Sequence, residues 1–153
     1  MLSELLSTER VRVPLGSHSK AELLRELVHL AVGDADEITI DGIIAVVEAR
    51  EAQVSTAMGG GLAVPHGRTE LVPDLRVSAG TVRGATDYHA LDGSPVLVVF
   101  LVLTPATASG LHVKVLARIA RLMHQPASRA ALLASATADE FIRAIRDTEA
   151  PRA

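Results

Sequence analysis

The sequence predicts an α/β sandwich in which helices cover a mixed sheet. Apolar residues recur at helical spacing in the first and last thirds of the chain, whereas the middle contains an unbroken apolar run over residues 96–103. The composition is 48% hydrophobic but only 2% aromatic, so the core must consist mainly of Leu, Val, Ile and Ala. At 153 residues, the chain is predicted to be a single domain over 1–153. The order of helices, then strands, then helices gives the fold class.

Polar residues predict where the first elements begin. Residues 1–10 are interpreted as a polar lead-in, and 11–14 as a short edge strand. Ser19 followed by Glu22 forms a capping box, which predicts that a helix begins there. Thr39 is predicted to cap a second helix, because isoleucine and valine follow it at positions that share one helical face.

Two strands are predicted in the second half of the chain. Residues 75–82 alternate in a way that is typical of a strand with one wet face. Residues 92–95 read Asp-Gly-Ser-Pro, which predicts a turn. The apolar run 96–103 follows this turn, and we expect it to be a central strand that is buried on both faces.

Helices are predicted to complete the chain. Ser109 is expected to cap a helix that Pro126 ends, and a short helix should follow at 130–134. Thr137 begins a second capping box and therefore predicts a final helix. The tail over 148–153 is expected to fray.

The stretch 55–68 is the most distinctive in the sequence. Three consecutive glycines at 59–61 predict a bent backbone that other groups approach closely. Residues 62–64 are long enough for a brief buried strand, and Pro65 ends it because proline has no N–H to donate. His66 follows directly, on a backbone that the proline fixes, which suits a reactive imidazole.

Spacing alone leaves several interpretations open for the candidate residues. His66 is either a reactive group or a strand-end histidine bonded to the backbone, and His112 near a helix start is either a site residue or a core histidine. Arg50 near a helix end is either a site residue or a solvated cation. A hydrolase with Ser55 or Thr56 as nucleophile is conceivable, but the motif G-x-S-x-G is absent. The remaining histidines are interpreted as surface or packing residues, namely His18, His29, His89 and His124.

Composition also argues against several classes of protein. A net charge of −3 argues against a nucleic-acid binder. There is no cysteine, and no pair of histidines has the spacing of a metal site, so neither a metal nor a cofactor is expected. No apolar run reaches about 18 residues and no leader pattern is present, so we expect a cytoplasmic protein that does not insert into a membrane.

A longer pattern of residues carries a resemblance to a known family. Arg50-Glu51, then Ser55-Thr56, then Gly-Leu-Ala-Val-Pro-His-Gly-Arg over 61–68 resembles the signature of the mannitol/fructose-type enzyme IIA domain of the bacterial phosphotransferase system. Free-standing nitrogen-regulatory IIA proteins belong to the same family. The helix start Leu-His-Val-Lys around His112 is also similar, and the resemblance covers a core of about 10–147.

The resemblance implies a phosphotransferase component that carries a phosphohistidine. It implies that His66 is the phosphoacceptor, and that His112 and Arg50 are the other active-site residues. It also implies a three-layer sandwich with a mixed sheet of about five strands. The physical properties of the side chains suit these roles, because an arginine can donate forked hydrogen bonds to phosphoryl oxygens. Ser55, Thr56 and the glycine amides are expected to bind the same oxygens.

The implied partners are proteins on both sides of the transfer. The donor would be the small histidine carrier HPr or its nitrogen-branch counterpart, and the acceptor a IIB domain of a sugar permease. Alternatively, the chain is a regulatory binding module whose phosphorylation state controls a kinase, a transporter or a transcription factor. A small metal-dependent hydrolase is a third and weaker hypothesis, because metal ligands are missing from the sequence. The sequence names neither the sugar nor a role for Tyr88 and His89.

Overall fold

A computed structural model describes residues 1–53, 55–83, 88, 95–108 and 110–150. Within these ranges, a six-stranded mixed sheet is covered by helices on both faces. The α/β sandwich predicted from the sequence is therefore confirmed, with six strands where about five were expected. The elements are a 3-10 helix Leu2–Leu5, strands β1 Val11–Arg12, β2 Ala57–Gly59, β3 Leu62–Ala63, β4 His66–Arg68, β5 Arg76–Thr81 and β6 Val98–Thr104, and helices α1 Lys20–Ala31, α2 Glu37–Gln53, α3 Leu111–His124, α4 Pro126–Ala134 and α5 Ala138–Glu149.

Strand β6 organises the sheet. The strand order is β1-β5-β6-β3-β2, and β4 also pairs with β6, beyond the end of β3. β6 is parallel to β3 and β4 and antiparallel to β5. Every residue of β6 is buried, which confirms the central strand predicted over 96–103. A strand that is covered on both faces needs a continuous apolar sequence, as this one has.

Alternate residues of β6 enter two separate hydrophobic cores. Leu101 and Leu103 pack with α1 and α2, on what we call the α2 side of the sheet. Phe100 and Val102 pack with α3 and α5, on the α3 side. Phe100 contacts Phe141 there, with ring centroids 5.7 Å apart. Each fully buried side chain of this size contributes about 1.5–3 kcal/mol, so the two cores dominate the stability of the fold.

The serine and threonine caps lie where the sequence predicts them, but the predicted boxes are not complete, because each glutamate bonds the amide of the residue before its cap. The Ser19 hydroxyl accepts a hydrogen bond from the Glu22 amide at 3.2 Å, at the start of α1. The Thr137 hydroxyl accepts one from the Glu140 amide at 3.1 Å, at the start of α5. None of the described helices combines the length and the apolar character needed to cross a membrane.

Two predicted helix boundaries were wrong. Thr39 does not cap α2, because Asp36 lies three residues earlier and its carboxylate accepts a hydrogen bond from the Thr39 amide at 2.7 Å. Aspartate is at least as good a cap as threonine. The short helix expected at 130–134 begins instead at Pro126, because proline suits the first turn of a helix as well as ending the previous one. Ser109 and most of the turn 92–95 lie outside the described residues.

Residues near the two ends of the described chain are bound to each other, contrary to the polar lead-in expected over 1–10 and to the fraying expected from 148. Residues 151–153 of the predicted tail lie outside the described residues. Leu2 and Leu6 are buried in the core on the α3 side. The carboxylate of Glu149 accepts hydrogen bonds from the amides of Leu2 at 2.6 Å and Ser3 at 2.9 Å. Composition alone does not predict this contact, because residues 1–10 contain few apolar side chains. Their spacing suits a 3-10 turn, which places them in the core.

A close backbone approach at Gly80 gives a test of the sheet. A Cβ added there would overlap the carbonyl oxygen of Arg12 and the side chain of Leu15. We expect Gly80→Ala to lower the free energy of unfolding by about 2–3 kcal/mol, because backbone atoms cannot yield. Gly16→Ala is the matched control, since its added Cβ meets only a carboxylate oxygen of Glu26 at 3.7 Å. Equal unfolding midpoints in urea for the two variants would contradict this description of the β1–β5 contact.

Candidate functional site

The glycine stretch forms the tight turn between β2 and β3. Gly59, Gly60 and Gly61 have φ angles of 81°, 63° and 88°, a region that other residues rarely adopt. The bent backbone predicted from the sequence is thus confirmed. Pro65 separates β3 from the next strand, also as predicted, but His66 opens β4 instead of following a strand.

The register of β4 decides which way its side chains face. His66 pairs with Val102, and Arg68 pairs with Thr104. Paired residues share a face of the sheet, so both side chains lie on the α3 side with Val102. Gly67 faces the opposite way, where a Cβ would meet Val46 at 3.1 Å. The sequence His-Gly-Arg therefore directs a histidine and an arginine to one face and leaves room for α2 on the other.

The ring of His66 is held by its own strand. Its Nδ1 lies 2.9 Å from the carbonyl oxygen of Val64. A carbonyl oxygen only accepts hydrogen bonds, so Nδ1 carries the proton that makes this bond. In the neutral ring, Nε2 then has the free lone pair. The side chain is half-buried, so this nitrogen belongs to a ring that is held by a backbone hydrogen bond and is not fully enclosed.

His112 lies beside His66. The two ring centroids are 6.3 Å apart and the ring planes differ by 19°. His112 is the second residue of α3, and its Nδ1 is buried without a hydrogen-bond partner among the described residues. Burial lowers the pKa of His112, and the charges of Arg68 and His66 lower it further. The ring therefore resists protonation next to the His66 imidazole.

Arg68 joins this pair, although the sequence analysis gave it no role. Its side chain is exposed, and Nη2 donates a hydrogen bond to the Ala106 carbonyl at 3.1 Å. Ala106 belongs to the segment that joins β6 to α3, and α3 carries His112. The signal available in the sequence was its position two residues after His66, because alternate residues of a strand share a face. The sequence analysis did not predict a strand at that point, so the signal was not used.

Arg50 belongs to a helix that packs on the other side of the sheet. It lies in the last turn of α2 and is half-buried. α2 packs on the α2 side through Ile43 and Val47, whereas His66 faces α3. Among the described strands, β4 pairs only with β6, so no described strand covers the other edge of β4. The structure thus brings the two histidines together directly and puts Arg50 on the neighbouring helix.

Thr56 belongs to a buried polar network directly after α2. Its hydroxyl donates to the Glu51 carboxylate at 2.6 Å, and its amide donates to the same group at 2.9 Å. The Tyr88 hydroxyl is 2.9 Å from the Thr56 hydroxyl, and the Lys20 ammonium lies 2.8 Å from Glu51. Burial alone would raise the pKa of Glu51, but the bonds from Lys20 and Thr56 lower it overall. Ser55 is half-buried beside this network, and its hydroxyl accepts a hydrogen bond from the Ala57 amide at 3.2 Å.

Three of the other four histidines occupy ordinary surface positions. His18, His29 and His124 are exposed, and His29 bonds through Nδ1 to the Arg25 carbonyl at 2.8 Å. His89 lies outside the described residues, whereas its neighbour Tyr88 is buried. No cluster of three or more His, Asp or Glu able to hold a metal ion occurs in the part of the chain that the structure describes.

Comparison with known proteins decides the family. The model of the family described as "Phosphoenolpyruvate-dependent sugar phosphotransferase system, EIIA 2" matches residues 4–148. The chain belongs to this EIIA family. The match covers β4, α2 and α3, and hence both histidines and Arg50.

Relatives of this EIIA chain include regulatory and transport proteins. It is 35% identical over 125 residues to a nitrogen regulatory protein of Bradyrhizobium diazoefficiens, which covers 80% of this chain and 79% of that protein. It is 27% identical over 141 residues to the PTS system fructose-specific EIIABC component of Bacillus subtilis, and this covers 92% of the chain but only 22% of that longer protein. The crystal structure of nitrogen regulatory protein IIA-Ntr from Neisseria meningitidis is similar with a TM-score of 0.85 at 28% identity, covering 94% of this chain and 98% of that one.

The environment of His112 in this EIIA chain predicts its titration. Because burial and nearby positive charge disfavour the imidazolium, the ring should gain its second proton only below pH 6.5, the ordinary value. In the unfolded chain the same ring protonates near 6.5, so this group destabilises the fold as the pH falls below that value. NMR of the His112 ring carbons against pH measures this directly. A midpoint at or above 6.5 would refute the described environment.

The buried network of this EIIA chain gives a second prediction. Thr56→Val should lower the free energy of unfolding by about 1–3 kcal/mol, because Glu51 loses a hydroxyl donor while it stays buried. Thr56→Ser keeps the hydroxyl and is the control, with a smaller loss. The folded-state pKa of Glu51 is lowered from 4.5, so its stabilising contribution is present above that pH and is lost as the pH falls through the folded value. The difference between the variants should therefore shrink in acid, and a constant difference in denaturant unfolding would contradict the role of Glu51.

Proposed function

We propose that the chain is a phosphohistidine carrier in which Nε2 of His66 accepts a phosphoryl group from an HPr-like protein. Membership of the EIIA family supports the general role. The observation that carries the residue assignment is the 2.9 Å contact of Nδ1 with the Val64 carbonyl. This contact leaves the lone pair on Nε2 and holds the ring still.

The transfer needs little chemistry from the protein. The Nε2 lone pair attacks the phosphorus of a phosphohistidine on the donor, and a new N–P bond forms. The donor's N–P bond breaks and its electron pair returns to that nitrogen, and the donor ring leaves as a neutral imidazole because its other nitrogen carries a proton. No proton has to leave His66, because Nε2 carries none. Positioning and charge stabilisation are the main requirements of such a reaction, so the proposed site needs neither a metal nor a cofactor.

His112 and Arg50 are proposed to stabilise the transferred group. Because His112 stays neutral near the start of α3, it can donate one N–H to a phosphoryl oxygen. Its Nδ1 is buried, so Nε2 is the nitrogen available for this bond. Arg50 can add a forked pair of charge-assisted hydrogen bonds. The site must not bind the phosphoryl group too tightly. Each tenfold increase in its affinity for that group lowers the equilibrium constant for onward transfer tenfold.

Ser55 and Thr56 are proposed to support the same site by different means. Ser55 is half-buried and can offer its hydroxyl to a phosphoryl oxygen. The hydroxyl of Thr56 bonds both Glu51 and Tyr88 in the structure, so any bond to phosphate would have to replace one of these. We therefore give Thr56 mainly the task of fixing the segment between α2 and β2.

The phosphorylated chain is proposed to act on a second protein in the cytoplasm. In the first form of the proposal, it passes the group to a IIB domain. The fructose-specific relative, whose name joins the A, B and C components, supports that route. In the second form, its phosphorylation state regulates a kinase, a transporter or a transcription factor. The similarity to nitrogen regulatory proteins supports this second form, since it extends over most of the length of those relatives.

The acceptor is tested by phosphorylation with phosphoenolpyruvate, enzyme I and either HPr or its nitrogen-branch counterpart. Intact mass should show the gain of one acid-labile phosphoryl group, and His66→Ala should show none. His112→Ala and Arg50→Ala should slow the gain by about 10–100-fold, because each loses a hydrogen bond to a charged group.

His124→Ala is the matched control, since it removes an exposed histidine at the far end of α3. It should be phosphorylated at the rate of the unchanged protein. Normal phosphorylation of His66→Ala would overturn the assignment of the acceptor. If no donor phosphorylates the unchanged protein, the carrier role fails.

A further inference from the structure

We propose that Arg68 is a second phosphoryl-binding cation of this site, delivered by β4 itself, next to the acceptor ring. The proposal rests on the function proposed above and adds a residue that the sequence analysis left without a role. It concerns the phosphoryl group on His66 Nε2, which carries about two negative charges at neutral pH.

The strand geometry supports this assignment. Arg68 follows His66 by two residues in β4, and both lie on the α3 side of the sheet. Side chains two residues apart in a strand are separated by roughly 7 Å. An arginine side chain is long enough to span that separation, so its guanidinium can reach a group attached to the neighbouring ring.

The Arg68 guanidinium is held by one hydrogen bond and keeps further N–H donors for a ligand. One N–H group donates to the Ala106 carbonyl at 3.1 Å, and a guanidinium has five N–H donors. Among the described residues, no carboxylate lies within ion-pair distance of Arg68, whereas Arg12 and Arg76 both have acidic partners. The side chain is exposed. Arg68 is therefore a cation held beside the site whose charge is not balanced by a neighbouring acid.

Arg68 also acts on the second histidine. Its positive charge is one of the causes that lower the pKa of His112, after burial and before the charge of His66. A neutral His112 donates a hydrogen bond without adding a full charge to the site. The same arginine would thus bind the phosphoryl group and keep the His112 ring neutral. Because a neutral ring adds no full charge, it limits how tightly the site binds the phosphoryl group.

Two other roles for Arg68 predict different results. A purely structural role would tie β4 to the segment that leads into α3 through the Ala106 bond. A docking role would contact the donor protein and leave the bound phosphoryl group alone. Phosphoramidate separates the docking role from phosphoryl binding, because it phosphorylates histidine as a small molecule and needs no protein contact. The structural role is separated by unfolding midpoints, since only the loss of a structural bond requires that Arg68→Ala lower the stability of the fold.

The test compares Arg68→Ala, Arg68→Lys and the control Arg143→Ala, which removes an exposed arginine of α5. Each protein is phosphorylated once by phosphoramidate and once by the HPr-like donor, and intact mass follows the gain and the later hydrolysis. We expect Arg68→Ala to slow phosphorylation by both donors about tenfold, because a charge-assisted interaction is lost. Arg68→Lys should recover much of this rate, and Arg143→Ala should match the unchanged protein.

A second measurement needs no phosphoryl donor. In the unphosphorylated protein, the NMR titration midpoint of His112 should move upward in Arg68→Ala and return towards the original value in Arg68→Lys. Circular dichroism confirms that each variant is folded.

The outcomes separate this proposal from the carrier function. If the unchanged protein gains no phosphoryl group from either donor, the carrier function fails. If it is phosphorylated and Arg68→Ala reacts equally fast with phosphoramidate, the phosphoryl-binding role is wrong. A loss confined to the protein donor would replace it with a docking role. An unmoved His112 midpoint would refute the effect of Arg68 on that ring.

Discussion

The burial of β6 on both faces is the constraint on which the rest of the structure depends. Because every residue of the strand is buried, its side chains must alternate between two apolar cores, and its neighbours must join it in a fixed register. A slip of one residue in β4 would turn His66 towards α2 and Gly67 towards α3. The register that pairs His66 with Val102 is therefore also what brings the two histidines together.

A single hydrogen bond in the candidate site imposes a second constraint, on the orientation of the His66 ring. The chain turns at Pro65 so that the His66 ring bonds the carbonyl of Val64, and this bond leaves the lone pair of the neutral ring on Nε2. Burial and positive charge lower the pKa of His112 beside it. In the function that we propose, a fixed nucleophile next to a neutral hydrogen-bond donor suits a group that must be accepted and released. Strong trapping by several full charges in a closed pocket would favour retention.

Much of the fold could be predicted from the sequence, because its signals are local. The apolar run around Phe100 and the caps at Ser19 and Thr137 each depend on a few adjacent residues. The start of α2 was misjudged because Asp36 and Thr39 are both acceptable caps and only packing selects between them. The order of strands around β6, including the sixth strand, depends on contacts between distant segments that no local pattern contains.

The candidate site shows the same contrast between residues that a local pattern marks and residues whose roles depend on distant contacts. His66, His112 and Arg50 were found because a family resemblance marks them, and their roles stay predictions until they are tested. The role that we propose for Arg68 was not foreseen because it depends on the face of β4, and Thr56 was assigned without knowledge of its bond to Glu51.

The most direct test of the account is to identify the ring nitrogen that carries the phosphoryl group. The protein would be labelled with ¹⁵N in histidine and phosphorylated, and coupling between ³¹P and the ring nitrogens would be measured by NMR. The account predicts that phosphorus is bonded to Nε2 of His66 while Nδ1 keeps its proton. Phosphorus on Nδ1, or on any other residue, would contradict it.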